Sequence, residues 1–307
     1  MHILHIGYHK TATNWFQRVY YPNIENFSYI HRKRVRRAFL RDSAFRFSPE
    51  RARSELGERG STNLILCEEE LSGNIHSGGL FGYLSKEVAT RLKLTLPDSR
   101  ITIFIRNQFD MIASAYKQYV REGGTHLVDR YLHPPHYAAR QSFSSYRIPL
   151  FSFDHFEYYP LIKHYEALFG RENVHIFLYE DFRRDPADFM ARFRDVFQFR
   201  VDHGRLSFEK INVSYKKWTL VMAKILNRLT HLNVVDKRYI IHIPMFYQYE
   251  RKLLKWLNKY RLFGMTPSPW ALLGKENMGF IRRRFSASNR SLETDYGLRL
   301  RQLGYPC

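Results

Sequence analysis

Four short apolar runs, at residues 2–7, 63–67, 100–106 and 174–179, each end in a loop of polar or special residues, with stretches of helical periodicity between them. That alternation constrains the chain more than any other feature. Strand–helix–strand order is the sequence sign of parallel βαβ units. It predicts an α/β class fold: three layers, with a central parallel sheet flanked by helices. In open parallel sheets ligands bind beyond the carboxyl ends of the strands. The chemistry is therefore expected in the loops that follow these four runs.

Helix signals fill the gaps. Thr13 is expected to cap a helix through about Tyr21. Ser85 opens a run with Val88, Leu92 and Leu96 on one face. Phe109, Ile112, Tyr116 and Val120 form another stripe, ended by Gly123-Gly124, and Asp185-Pro186 fits an N-cap followed by proline at the first helical position. The 307 residues, 44% of them apolar, suffice for one large domain or a domain with a subdomain. The pattern divides as 1–207, an α/β core; 208–275, a helical subdomain or insertion; and 276–307, a C-terminal segment returning to the core. In the middle segment Trp218, Val221, Met222, Ile225 and Leu229 share a helical face, as do Phe246, Tyr249, Leu253, Leu257 and Tyr260. These stripes are expected to pack inward, although basic amphipathic helices can also lie on an anionic membrane.

The loop after the first run reads Gly7-Tyr8-His9-Lys10-Thr11-Ala12-Thr13-Asn14-Trp15 and opens a helix. Backbone N–H groups at such a turn point at an anion, Lys10 supplies a point charge, and Thr11, Thr13 and Asn14 supply donors. It is not a Walker A loop, because G-x-x-x-x-G-K-[ST] is missing. A lone lysine there is as often merely solvated. The third run ends in Arg106-Asn107-Gln108-Phe109-Asp110, followed by Ser114 and Tyr116. Arginine at a strand end and serine on the next helix can share one phosphate; the plainer reading pairs Arg106 with Asp110. The fourth run leads into Tyr179-Glu180-Asp181-Phe182 and Asp185-Pro186.

Taken in order, these three segments resemble the donor-binding elements of sulfotransferases that use 3′-phosphoadenosine 5′-phosphosulfate (PAPS) and release adenosine 3′,5′-bisphosphate (PAP). The Lys10 loop resembles the 5′-phosphosulfate loop K-[ST]-G-T-[TS], with Ala12 in place of glycine and Asn14 in place of a hydroxyl residue. Alanine suits close backbone approach provided its φ stays negative. The Arg106 segment resembles R-[ND]-P-x-D-x-x-x-S-x-Y, which binds the 3′-phosphate through the positions of Arg106 and Ser114; Gln108 replaces the proline. The Tyr179 segment is similar to Y-E-D-[LF]-x-x-D-P. The resemblance implies a three-layer P-loop-like fold, in which His9 to Trp15 line the donor loop and Trp15 and Tyr179 flank the adenine. It covers most of residues 1–200. A C-terminal piece, 285–306, is similar to the ending of bacterial carbohydrate or glycolipid sulfotransferases, which makes Arg290 a candidate for a late basic loop over the 3′-phosphate. A solvent-facing helix arginine is the alternative.

Transfer of a sulfuryl group needs in-line geometry, charge stabilisation at the leaving phosphate, and a base. Lys10 would serve the leaving group. The second run ends in Glu68-Glu69-Glu70, and the family places a histidine or glutamate base there. Glu69 is the expected base, Glu70 the second choice, and His9 and His76 are further alternatives. Like charges with partial burial should raise the pKa of at least one glutamate. No histidine spacing suggests zinc, so no metal is expected.

The net charge of +20, with a pI near 9.9, favours anionic partners without naming one. The arginine-rich run from His31 to Arg41 suits an acidic glycan, or is a solvated helix face. Residues 125–149 read as a loop that could wall an acceptor site. Cys67 and Cys307 imply no disulfide framework, and the first residues do not form a signal peptide. A cytoplasmic enzyme is expected, with peripheral contact on the inner membrane face as an option. Two other classes fit less well. A P-loop-like kinase would need a Walker A loop, and a nucleic-acid-binding protein, for which none is expected as a partner, is suggested by charge alone.

Overall fold

The structure is a computed structural model. It describes residues 1–57, 63–134, 150–201, 206–207, 214–231 and 237–307. Five strands form one all-parallel sheet: β1 (His2–Gly7), β2 (Ser28–Ile30), β3 (Leu64–Cys67), β4 (Ser99–Ile105) and β5 (Val174–Leu178), in the order β2-β3-β1-β4-β5. Leu4 lies opposite Leu66 on one side and Ile101 on the other, and Ile103 pairs with Ile176. The four predicted runs all become strands. β2 is the addition. Its three residues, Ser-Tyr-Ile, are too few to show a period, and it pairs only with β3 at the sheet edge.

The central strands are apolar because both their faces are covered. β1 is buried after His2 and β3 throughout. One face carries an aromatic layer in which Phe104 meets Phe16, Phe177, Phe189 and Phe193 with ring centroids 5.0–5.8 Å apart. His5 of β1 sits inside this layer, stacked on Phe104 at 4.9 Å with its Nδ1 2.8 Å from the Tyr21 hydroxyl. Helices Arg32–Phe39, Pro49–Leu56, Tyr83–Thr95 and Tyr158–Phe169 pack in series, the last of them on β4 and β5. Asp185 caps Pro186–Phe197 as expected, its carboxylate accepting from the Asp188 amide at 3.0 Å. The helix expected from Thr13 is different: Ala12 holds the N-cap position, and the α-turn Thr13–Trp15 runs on as a π-helix, Phe16–Tyr20, and then a 3₁₀ turn, Tyr21–Asn23.

The chain divides into two compact units. The first comprises Met1–Asn107, Asp154–Ile211 and Ser288–Leu303 and contains the sheet; the second comprises Gln108–Phe153, Asn212–Ala287 and Gly304–Cys307. In the first, the C-terminal piece is tied down by the Tyr296 hydroxyl donating to Glu166 at 2.8 Å and by Arg299 pairing with Asp181 at 3.1 Å. In the second, Phe109, Ile112, Tyr116 and Val120 of helix Gln108–Arg121 are buried, as their spacing implied. The Asn227 amide donates to the carbonyls of Val120 and Gly124 at 2.9 and 2.8 Å, closing the end of that helix.

Two expectations for the second unit are met only in part. The stripes predicted to face inward are turned partly to solvent: Trp218, Ile225, Tyr249, Leu253 and Tyr260 are exposed, whereas Val221, Met222, Leu229, Phe246 and Leu257 are half-buried. Helix Lys217–Leu226 buries Thr219, Leu220 and Ala223, and helix Phe246–Leu257 buries Tyr247, Glu250 and Leu254. Periodicity tells which residues share a face and not which way it points. Thr219 and Ala223 are small, and small residues allow close approach of one helix to another. The segment read as a loop from 125 contains the short helix Val128–Leu132, and Thr125 and His126 are buried; its remainder, 135–149, lies outside the described residues.

Candidate functional site

The turn after β1 is compact because it satisfies itself. The Thr11 hydroxyl donates to the Tyr8 carbonyl at 2.5 Å and Thr13 to the same oxygen at 3.4 Å. Lys10 and Ala12 both adopt left-handed backbone, with φ of 61° and 67°. The condition on which alanine suits this position is therefore not met: Ala12 occupies a conformation that glycine adopts without cost. Gly7, at φ 115°, is required for a different reason. A Cβ there would lie 3.1 Å from the Glu69 carbonyl oxygen and from Ser72 Oγ. The first residue of the turn thus packs directly on the glutamate turn that follows β3.

Arg106, at the end of β4, reaches the same turn. Its Nη1 donates to the Lys10 carbonyl at 3.0 Å, and its guanidinium lies 4.9 Å from the centroid of the Tyr179 ring. Tyr158 donates to the Arg106 carbonyl at 2.6 Å, and the Asn107 amide donates to Glu180 at 2.9 Å. These contacts bring Lys10, Arg106 and Tyr179 together at the carboxyl edge of β1, β4 and β5. Trp15 is 5% exposed in the aromatic layer, with its indole N–H donating to the Ser207 carbonyl at 2.6 Å. Asn14 is partly exposed beside it. Ser114 is partly exposed on a helix of the second unit, and the Tyr116 hydroxyl donates to the His126 carbonyl at 2.9 Å. Arg290 is exposed on helix Pro269–Tyr296.

The three glutamates after β3 occupy three environments. Glu68 is 0% exposed and receives two forks: Arg32 and Arg36 each donate through Nε to Oε2 at 2.9 Å and through Nη2 to Oε1 at 3.1 Å. Residues 32 and 36 are one helical turn apart, so both reach one carboxylate. Glu69 accepts from Arg32 Nη2 and from Gln17 Nε2, both at 3.2 Å. Gln17 also donates to the Cys67 carbonyl at 2.9 Å and so links the segment after the β1 turn to the end of β3. Glu70 accepts from Arg36 at 2.9 Å, and burial raises its pKa, the other two glutamates adding to the rise and Arg36 opposing it. The rise expected for at least one of the three falls on Glu70.

The arginine run is therefore largely engaged within the chain. Arg32 and Arg36 hold the glutamates; Arg34 and Arg37 reach Glu55, at 2.8 and 2.7 Å. Sequence reasoning saw the charges and missed these partners. Complementary runs, Arg-x-x-x-Arg and Glu-Glu-Glu, were the available signal.

His9, His76 and His155 are buried close to the turn, and burial holds each in its neutral form. The His9 pKa lies well below the ordinary value, lowered further by His155 and Lys10, and those of His76 and His155 fall to about 3. Neutral imidazoles add no charge to the turn, so the formal positive charge there belongs to Lys10 and Arg106. Bases this weak are poor proton acceptors at neutral pH. Among the described residues no group of three or more His, Cys, Asp or Glu is placed to hold a metal ion.

No family model matches the chain, and no curated protein matches it. Among solved structures, a crystal structure of a sulfotransferase from Alicyclobacillus acidocaldarius overlaps 67% of this chain and 85% of that chain, at 20% identity and a TM-score of 0.42. An overlap of that size says nothing of donor or acceptor.

Proposed function

We propose that the chain is a sulfotransferase that moves a sulfuryl group from PAPS to a hydroxyl or amine of a carbohydrate or glycolipid acceptor, releasing PAP. The observation that carries this reading is the meeting of two cationic strand ends, Arg106 Nη1 donating to the Lys10 carbonyl at 3.0 Å. A nucleotide phosphorylated at both 5′ and 3′ positions needs two anchors within one molecule's span. In this reading Lys10 and the backbone N–H groups of residues 11–14 hold the 5′-phosphosulfate. Arg106, with Arg290 as a further cation, holds the 3′-phosphate, and Tyr179 borders the adenine.

The acceptor oxygen attacks sulfur in line with the bridging oxygen. A new S–O bond forms as the S–O bond to the 5′-phosphate breaks, and the acceptor proton passes to a base. Lys10 neutralises charge on the leaving phosphate. Glu69 is the base in this reading, because Gln17 ties it to the donor-loop side while Arg36 draws Glu70 away. Hydrogen bonds from Gln17 and Arg32 orient the carboxylate, so turnover should depend on those two donors.

The test is a thermal-shift titration with adenosine 3′,5′-bisphosphate, AMP and ATP. At a ligand concentration about a hundred times Kd the bisphosphate should stabilise by about 2.7 kcal/mol, on the order of 5 °C, and the other two by clearly less. Equal shifts for all three would overturn the reading.

A further inference from the structure

In the second unit, helix Phe246–Leu257 turns part of its hydrophobic pattern outward. Its inward face carries Tyr247, Glu250, Leu254 and, just beyond the helix, Asn258, so two of four buried positions are polar. Its outward face carries Tyr249, 62% exposed, then Leu253 and Trp256, 52% exposed, with Tyr260 exposed just beyond the helix end. These positions fall on one stripe of an α-helix. The stripe is flanked by Lys252, Lys255 and Lys259, all exposed. The neighbouring helix repeats the arrangement, with Trp218 and Ile225 outward and the Lys217 ammonium 5.3 Å from the Trp218 ring centroid. The connection between the helices exposes Ile240 (78%), Ile241, Ile243 and Met245.

A folded chain in water seldom leaves so much aromatic and aliphatic surface in one segment without a use for it. Three of the chain's four tryptophans, Trp218, Trp256 and Trp270, are among these exposed residues. The charge of the segment narrows the choice of occupant. Residues 214–270 hold eleven Lys or Arg and two acids, Asp236 and Glu250, and Glu250 is buried. A second copy would bring the same basic surface, on a chain of net charge +20, against itself. A nucleic acid would match the charge and leave the apolar stripe in water. Tryptophan and tyrosine beside lysine, on a face that is otherwise aliphatic, match the boundary of an anionic bilayer, where rings sit at headgroup depth and ammonium groups meet lipid phosphates. Among the described residues no helix is long and apolar enough to cross a membrane, so the contact would lie in the plane of the surface.

We infer that this face docks the protein on an anionic lipid surface. The inference does not depend on the sulfuryl-transfer reading. The test is flotation of the full chain with phosphatidylcholine vesicles, with and without phosphatidylglycerol, read together with tryptophan emission. Binding is expected only when phosphatidylglycerol is present, with a blue shift. The triple change Tyr249→Ser, Leu253→Ser and Trp256→Ser should lower partitioning on the order of a hundredfold. Lys252→Glu, Lys255→Glu and Lys259→Glu together should lower it at least on the order of a hundredfold. All six positions are exposed, and an unchanged melting temperature checks that the variants fold. Three results would each overturn the inference: no flotation with the anionic vesicles, flotation that survives the apolar triple change, or a dimer in light scattering that the same triple change dissociates.

Discussion

Acid should destabilise the sheet unit steeply, well before its carboxylates titrate. His5, His9, His76 and His155 are buried and neutral, their pKa values depressed by loss of solvent, to about 3 for His5, His76 and His155. In the unfolded chain each returns to about 6.5. A histidine with a depressed folded pKa contributes stability that is complete above the unfolded value. That stability drains away as pH falls through 6.5 toward the folded value, because only the unfolded chain takes up the proton. Between pH 7.5 and 5.5 each such group costs about 1.3 kcal/mol, and four independent groups about 5 kcal/mol, a large part of the stability of an ordinary domain. Native-state hydrogen exchange of the slowest β1 and β4 amides, corrected for intrinsic rate, reads the opening of this unit alone. The opening free energy should fall by several kcal/mol across that window. His155→Gln should remove about a quarter of the fall. A change below about 1 kcal/mol, or a full-sized fall in a variant lacking all four imidazoles, would refute the reasoning.

Lys10→Ala and Arg106→Ala should each weaken adenosine 3′,5′-bisphosphate about 10- to 100-fold by calorimetry, the loss of one charge-assisted contact. Equal affinity in either variant removes that residue from the donor site. Glu69→Gln should leave bisphosphate affinity nearly unchanged while suppressing turnover with PAPS, whereas Glu70→Gln should retain most activity; the reverse order would move the base. Glu68→Gln should cost about 2–3 kcal/mol in urea unfolding, because two partly exposed guanidinium groups are left facing each other without their shared carboxylate. Ala12→Gly should stabilise by about 0.5 kcal/mol, relief of left-handed strain less the added freedom of the unfolded chain; a loss of stability would mean that the methyl group packs usefully.

The strand positions were readable because buried parallel strands must be continuous apolar runs, so β1, β3, β4 and β5 announced themselves within a residue or so. β2 did not, since three residues at a sheet edge leave no pattern. The loops of Lys10 and Arg106, 96 positions apart and each placed after a strand, were expected to serve one ligand; the hydrogen bond from Arg106 to the Lys10 carbonyl was not foreseen. Trp15 was harder. Its neighbours in sequence suggest a ligand loop, while its neighbours in space are the rings of Phe16, Tyr20 and Phe182, which lie in the aromatic layer and leave no trace in the local pattern.

By itself, the sequence determined what repeats at short range: the strand and helix periods, the Asp185-Pro186 cap, and the candidate phosphate-binding residue types in the turns after β1 and β4. Tertiary structure alone decided which charges meet and which way an apolar face is turned. Arg32 and Arg36 close on Glu68 because the first helix after β2 lies over the end of β3. Tyr249, Leu253 and Trp256 face water because the opposite side of their helix is the one its unit buries. Periodicity is written in intervals of three and four residues, whereas direction and partnership depend on segments far away along the chain.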